Sequence, residues 1–160
     1  MPISSESIHH PTKFAGDISQ PTCASLRLRW VGISIVPLDQ VAALFYAVVV
    51  AFEMLFQFCL IFGAPWGRIT QGGSHEGPLP VSGRAVAALS VFILMFMGAS
   101  VTSAAGLAPN WSGWTAHVAI GIQGVSTLLN WITPSRPERL VWAPITSIML
   151  LLAAYAVFIR

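Results

Sequence analysis

A single carboxylate, Glu53, lies near the centre of the otherwise apolar segment 41–63. An ionised carboxylate that faced lipid at this depth would cost several kcal/mol, so we expect a structural or functional reason for its presence. Gln57 follows four residues later and therefore shares its helical face, roughly 6 Å further along the axis. These two side chains predict that the segment turns one polar face toward the protein interior.

A second set of polar side chains lies in segment 112–132. Gln123, Thr127 and Asn130 follow i, i+4, i+7 spacing and therefore line one face of a helix. In an antiparallel arrangement Gln123 lies at about the depth of Glu53, so we expect these two side chains to be partners. Because polar groups within a membrane must satisfy one another, the spacing predicts one intramembrane polar cluster. Its predicted members are Glu53, Gln57, Gln123, Thr127 and Asn130.

His117 is the other titratable side chain within an apolar segment. Its distance from Gln123 along the chain places the two on helical faces about 120° apart, so no direct relay to the polar cluster is implied. His117 aligns instead with Gly113, Gly121 and Gly124, which are small residues that allow another helix to approach closely. Two interpretations stay open: a histidine that fixes packing near the membrane interface, or a pH-sensitive group.

Composition places these side chains in a membrane protein. The 160 residues are 55% hydrophobic and only 9% charged, with a mean hydropathy of +0.73, whereas soluble proteins are about a quarter charged. Four stretches approach the ~20 residues that cross a bilayer, and we predict spans at 41–63, 85–106, 112–132 and 140–159. The predicted fold is all-α: an antiparallel four-helix transmembrane bundle formed by residues 40–160.

Residues 1–39 differ in composition from the rest of the chain. Their serines, histidines and prolines offer few large apolar groups, so we predict a disordered arm. Within it, segment 26–36 is a candidate interfacial segment, with Trp30 at headgroup level. Pro37 and Asp39 are expected to separate this segment from the first span.

The arm shows neither a secretory signal nor a metal site. No basic start leads into an apolar stretch with a cleavage site, so we expect the first span to direct insertion. His9 and His10 are adjacent but lack a third ligand, and the chain has no other metal or cofactor motif. The net charge of +2 with scattered arginines does not favour nucleic-acid binding.

Arginine positions favour one orientation of the predicted bundle. The first and third loops between the predicted spans carry arginines, whereas the second loop has none. By the positive-inside rule we expect the first and third loops to be cytoplasmic, although arginines near the termini oppose this assignment. The loop arginines are Arg68, Arg84, Arg136 and Arg139, and those near the termini are Arg27, Arg29 and Arg160.

The first loop, at 63–80, is rich in glycine and proline. Glycine permits positive φ and proline removes a backbone donor, so the composition predicts specific turns without a helix. In the simpler hypothesis the loop is a compact hairpin, with Trp66 at the membrane interface and Arg68 at the headgroups. In the alternative, His75 and Glu76 form an acid/base pair, although no nucleophile or metal accompanies them.

The third loop contains a helix-start signal. Ser135 is suited to cap a helix whose first turn includes Pro137, and Glu138 would stabilise the positive end of that helix. A functional alternative assigns Arg136 and Arg139 to the binding of an anionic lipid or a partner protein.

Two loop motifs resemble those of a known family. These are Gly-Ala-Pro-Trp-Gly at 63–67, followed by the glycine- and proline-rich run at 72–80, and Thr-Pro-Ser-x-x-Glu-Arg at 133–139. The chain resembles, over about 40–159, a family of small, uncharacterised bacterial four-span integral membrane proteins. The resemblance implies a multi-pass location in the bacterial inner membrane. It implies no activity, so it assigns no catalytic residue.

Three functional hypotheses follow, and we favour the first because no catalytic, nucleotide or metal motif is present. It is a non-enzymatic accessory or small-ligand- or lipid-binding subunit, without a cofactor. Its expected partners are membrane lipids and, because one bundle has little room for a wide pore, a second copy or another membrane protein. The second is a proton- or solute-coupled transporter or channel that uses Glu53. The third is a membrane enzyme that acts on a lipidic substrate through His75 and Glu76.

Overall fold

The computed structural model describes residues 36–159, and within this range it contains four α-helices, two short 3-10 turns and no β-strand. The all-α prediction is thereby confirmed. Residues 1–35 of the predicted arm, with nearly all of segment 26–36, lie outside the described range. The helices are α1 (Leu38–Ile61), α2 (Val81–Ala104), α3 (Trp114–Ile132) and α4 (Arg136–Phe158).

Three of the helices begin before their predicted spans. α1 begins directly after Pro37, and Asp39 lies in its first turn, so the prediction that Asp39 separates the first span from the preceding segment was wrong. A proline costs little before a helix whose first amides have no helical partner, and an acidic residue there stabilises the positive end of the dipole. α2 and α4 likewise include polar first turns, which hydropathy alone assigns to loops.

The helices enclose a packed core at the end next to the second loop, which comprises residues 105–113. α1 packs mainly on α2 and α4, and α3 packs mainly on α4. Small side chains allow close approach: a Cβ added to Gly98 of α2 would lie 3.3 Å from Val50 Cγ1 of α1. The buried core residues are Ala42, Ala43, Tyr46, Val50, Met97, Val101, Ala105, Ala119, Met149, Ala153 and Ala156.

The opposite end is covered by the first loop, residues 62–80. It contains two 3-10 turns, Gly67–Ile69 and Gln71–Gly73. The Gly67 amide donates to the Gly77 carbonyl over 3.0 Å, and a Cβ at Gly67 would lie 2.5 Å from the His75 carbonyl oxygen. Only glycine fits at this point, so the chain closes into a compact loop.

Three helices, α1, α2 and α4, are long and apolar enough to cross a membrane, which is consistent with a membrane location. α3 is shorter, at 19 residues, and includes the polar residues Thr115, His117, Gln123, Ser126, Thr127 and Asn130. Large apolar side chains cover the outer surface, and a soluble protein rarely exposes so many. Examples are Phe45, Phe52, Leu89, Phe92, Leu128 and Leu151.

Candidate functional site

A cavity of about 660 Å³ lies between the four helices, in the half of the molecule next to the first loop. We call it the lateral cavity. All four helices contribute to its wall, and Thr70 of the first loop lines one end. Its polar side chains are Glu53, Gln57, Thr70, Ser90, Gln123, Ser126, Asn130, Glu138 and Thr146. Its large apolar side chains are Phe56, Ile93, Leu94, Met97, Val118, Ile122, Val125, Leu129 and Trp142.

The lateral cavity brings together four residues of the predicted polar cluster: Glu53, Gln57, Gln123 and Asn130. The fifth, Thr127, is buried beside the cavity but is not part of its wall, and its hydroxyl donates to the Thr146 carbonyl over 3.0 Å. Two helices that are distant in sequence thus contribute polar groups to one space.

Gln123 is bonded to Tyr46 and not to Glu53. The Tyr46 hydroxyl donates to Gln123 Oε1 over 3.1 Å, and Gln123 Nε2 donates to the Thr146 carbonyl over 3.2 Å. Both side chains are fully buried, with Gln123 only 1% exposed. Tyr46 lies about two turns before Glu53 along α1. The prediction that Gln123 pairs with Glu53 was therefore wrong. It compared only the depths of the two residues and considered neither the length of the tyrosine side chain nor helix tilt.

Glu53 and Gln57 are half-buried, and both line the cavity. Neither side chain forms a hydrogen bond with another residue of the range 36–159, unlike Gln123 and Thr127. Their polar atoms are therefore available to a molecule that occupies the cavity.

Glu138 is a second cavity carboxyl that sequence reasoning assigned only to helix capping. It is buried in the first turn of α4, where its Oε2 accepts from Thr133 Oγ1 over 3.1 Å. The capping prediction itself is confirmed, because the Glu138 amide donates to Ser135 Oγ over 3.4 Å. The helical register after Ser135 was a usable signal, since it places residue 138 and Trp142 on one face.

The exposure of wall residues indicates that the cavity opens to the outside of the molecule between α2 and α3. Wall residues on both helices are also exposed on the outer surface, including Ile93 on α2, and Val125 and Leu129 on α3, which are 59% and 57% exposed. Gly121 also belongs to the wall, and no atom lies within 4 Å of a Cβ built on it. In a membrane this opening would face the acyl chains.

Aromatic rings form the wall at the end next to the first loop. The Phe56 ring lies edge-on to Trp142, with centroids 4.7 Å apart, and stacks on Trp66 with centroids 5.5 Å apart. Trp142 Nε1 donates to the Ile69 carbonyl over 2.7 Å. These contacts attach the first loop to α1 and α4, and Phe56 and Trp142 line the same cavity as the two carboxyl groups.

The first and third loops are joined over this end. Ser135 Oγ donates to the Arg68 carbonyl over 2.8 Å. A Cβ at Gly73 would lie 2.4 Å from Ser135 Oγ. Arg139 Nη1 donates to the Thr133 carbonyl over 3.2 Å, whereas Arg136 is exposed. Of the two arginines proposed to bind an anion, Arg139 has one donor engaged, and Arg136 forms no side-chain hydrogen bond within the described residues.

The remaining predicted residues lie away from the cavity. His75 and Glu76 are exposed on the first loop, and His75 Nδ1 lies 3.0 Å from Ser74 Oγ. His117 is exposed on α3, with Nδ1 3.1 Å from the Gly113 carbonyl oxygen. No cluster of three or more metal-ligating side chains occurs within residues 36–159.

Comparisons with protein families, with curated proteins and with solved structures found no match for this chain. The likeness at the loop motifs therefore stays a prediction. Any function must be argued from the cavity and its surroundings.

Proposed function

We propose that the protein is a multi-pass membrane protein whose lateral cavity binds a small amphiphilic molecule from the bilayer, without catalysing a reaction. The observation that carries this proposal is the combination of a polar inner wall with an opening between two helices that could lie within the membrane. Ligand sites in proteins usually occupy about 300–1,000 Å³, and a cavity of about 660 Å³ falls in that range.

The proposed architecture is an antiparallel bundle in which α3 crosses the membrane together with α1, α2 and α4. Two of the most polar side chains of α3, Gln123 and Thr127, are buried against other helices, so its outer face keeps apolar residues such as Val118 and Leu128. This arrangement suits a helix of moderate hydropathy, because neighbouring helices and not lipid meet its polar groups. The family resemblance adds a bacterial inner membrane as the proposed location.

The distribution of the wall residues orients the bound molecule. Glu53, Gln57 and Asn130 are half-buried in the wall, whereas Val125 and Leu129 are exposed at the opening. A polar head group would contact the former, and an apolar chain would extend past the latter into the bilayer. Such a molecule satisfies both parts of the wall without moving polar groups through lipid.

Transport is the second candidate function, since Glu53 lies on the cavity wall. A packed core that includes Tyr46, Val101 and Met149 lies toward the second-loop end, and we take it to favour binding over a continuous route. Catalysis through His75 and Glu76 receives less support, because both side chains lie outside the cavity.

The opening can be tested by filling it from Gly121. Because a Cβ at this position meets no atom within 4 Å, we expect Gly121→Phe to fold and to place a ring across the opening. We expect affinity for a fluorescent single-chain alcohol, measured with the protein in nanodiscs, to fall by about tenfold or more.

The matched control is Gly124→Phe, since Gly124 has equally open surroundings on α3 but is not part of the cavity wall. Its affinity should stay within about twofold of the parent. Absence of binding by the parent protein, or equal losses in the two variants, would overturn the proposal.

A further inference from the structure

We infer that the lateral cavity selects lipophilic cations, that is, amphiphiles whose head group is an ammonium or related cationic nitrogen. This inference rests on the proposed binding function and names the chemical class of its ligand. Four features of the wall support it: its carboxyl groups, its committed hydrogen-bond donors, its aromatic rings, and the lack of basic side chains among its residues.

Two carboxyl groups, Glu53 of α1 and Glu138 of α4, reach the same cavity from different helices. Glu53 forms no hydrogen bond with another described residue, and Glu138 uses one oxygen, Oε2, to accept from Thr133. Oxygens of both groups therefore remain able to accept hydrogen bonds from a ligand. In a medium of low dielectric constant a cation gains far more from such groups than it would in water.

Four of the seven neutral polar side chains of the wall, those of Ser90, Gln123, Asn130 and Thr146, have a donor engaged within the described residues. Ser90 Oγ donates to the Val86 carbonyl over 2.9 Å, and Asn130 Nδ2 donates to the Ser126 carbonyl over 2.9 Å. Thr146 Oγ1 donates to the Trp142 carbonyl over 2.8 Å. Because a hydroxyl has a single hydrogen, Ser90 and Thr146 offer only lone pairs to the cavity, which suits a ligand that donates hydrogen bonds or carries positive charge.

The aromatic wall adds a second type of attraction. Phe56 and Trp142 line the cavity, with ring centroids 4.7 Å apart. A cationic nitrogen near the face of an aromatic ring is attracted by the ring quadrupole, and tryptophan is the most effective of the aromatic residues. Aromatic rings together with carboxyl groups can bind a quaternary ammonium group, although such a group donates no hydrogen bond.

The opposite charge is disfavoured. None of the residues that line the cavity is arginine, lysine or histidine. Arg84 of α2 and Arg139 of α4 each direct one donor at a backbone carbonyl: Arg84 Nε at Leu79 and Arg139 Nη1 at Thr133. A carboxylate or phosphate head group would meet two carboxyls with no cation to offset them, so the wall rejects anionic amphiphiles.

The test compares three single-chain probes that differ only in head group: dodecyltrimethylammonium, dodecanol and dodecanoate. Each displaces the fluorescent alcohol from the protein in phosphatidylcholine nanodiscs, and each concentration is corrected for partitioning into protein-free nanodiscs. We expect the ammonium probe to bind about tenfold more tightly than dodecanol, and dodecanoate to bind most weakly.

Glu53→Gln should weaken binding of the ammonium probe by about tenfold and change binding of dodecanol by less than about threefold. Glu138→Gln should act in the same direction and serves as a second variant if the first fails to fold. The control is Glu76→Gln, which removes an exposed carboxyl outside the cavity and should leave both affinities unchanged.

The outcomes separate the two proposals. Equal affinity for the ammonium probe and dodecanol in the parent protein, or tighter binding of dodecanoate, would overturn the charge preference while leaving the binding function intact. Failure of all three probes to displace the fluorescent alcohol would overturn both. A selective loss of ammonium binding in Glu53→Gln, but not in Glu76→Gln, supports the inference.

Discussion

Tyr46 is fully buried where the lateral cavity meets the packed core, and its hydroxyl donates to Gln123 Oε1 over 3.1 Å. Gln123 in turn donates to the Thr146 carbonyl, so three helices are joined through one glutamine side chain. Without the tyrosine hydroxyl, a buried amide oxygen would lose its partner. Buried polar groups left in this way cost more than the bond itself contributed.

Tyr46→Phe should therefore lower the free energy of unfolding by about 1 kcal/mol, within the range measured for hydrogen bonds inside membrane proteins. The quantity is measured by titrating detergent-solubilised protein with a denaturing detergent. Tyr155→Phe is the control, because the Tyr155 hydroxyl has no hydrogen-bond partner among residues 36–159; it should change stability by less than about 0.5 kcal/mol. Equal losses in the two variants would contradict the role given to Gln123.

Residue types and helical spacing predicted the polar cluster better than its pairing. Glu53 and Gln123 stand out because each is costly to place in lipid, and both line the cavity. The bond from Tyr46 to Gln123 was not predicted, because tyrosine is common in membrane helices and its presence does not indicate a polar partner. Glu138 was missed because its position after a serine cap already explained its presence in the sequence.

Hydropathy predicted which segments form helices. It predicted neither where the helices begin nor which loops contact each other. α4 begins at Arg136, directly after its cap residue Ser135 and four residues before the predicted span at 140–159. The bond from Ser135 Oγ to the Arg68 carbonyl joins two loops that are far apart in sequence, and no sequence pattern indicates it. Such contacts depend on where neighbouring helices end in space.

The crossing of α3 can be tested by labelling, since only α1, α2 and α4 are long and apolar enough by composition alone. In a protein whose native cysteines are replaced by alanine, we would introduce Ser74→Cys, Ser112→Cys and Pro134→Cys in the first, second and third loops. These three positions are exposed. A membrane-impermeant maleimide should modify the first and third loops from one side, and the second loop from the other.

Labelling of Ser112→Cys and Pro134→Cys from the same side would show that α3 does not cross. The same experiment in intact cells reports orientation, and the arginine distribution predicts that the first and third loops are cytoplasmic. A first loop that is labelled from outside the cell would contradict that orientation but would leave the four crossings intact.

At the scale of the whole molecule, the two ends of the helices differ. The half near the second loop is filled by small and medium apolar side chains around Val101 and Met149, whereas the half near the first loop encloses the lateral cavity. Sequence spacing predicted which polar residues share an interior, but the volume between the helices depends on how far apart they lie. That distance is set by the packing of the core and of the two joined loops.

Photo-crosslinking within the membrane shows whether a bilayer molecule occupies the space beside Glu53. Leu94 of α2 lines the cavity and is half-buried, whereas Leu89 lies on the exposed surface of the same helix and outside the wall. Each leucine is replaced in turn by the photoreactive amino acid p-benzoylphenylalanine, and crosslinking to radiolabelled dodecyl alcohol is measured. At position 94 we predict saturable labelling that excess unlabelled alcohol suppresses, and at position 89 labelling that rises linearly with concentration. Linear, uncompeted labelling at both positions would contradict the account.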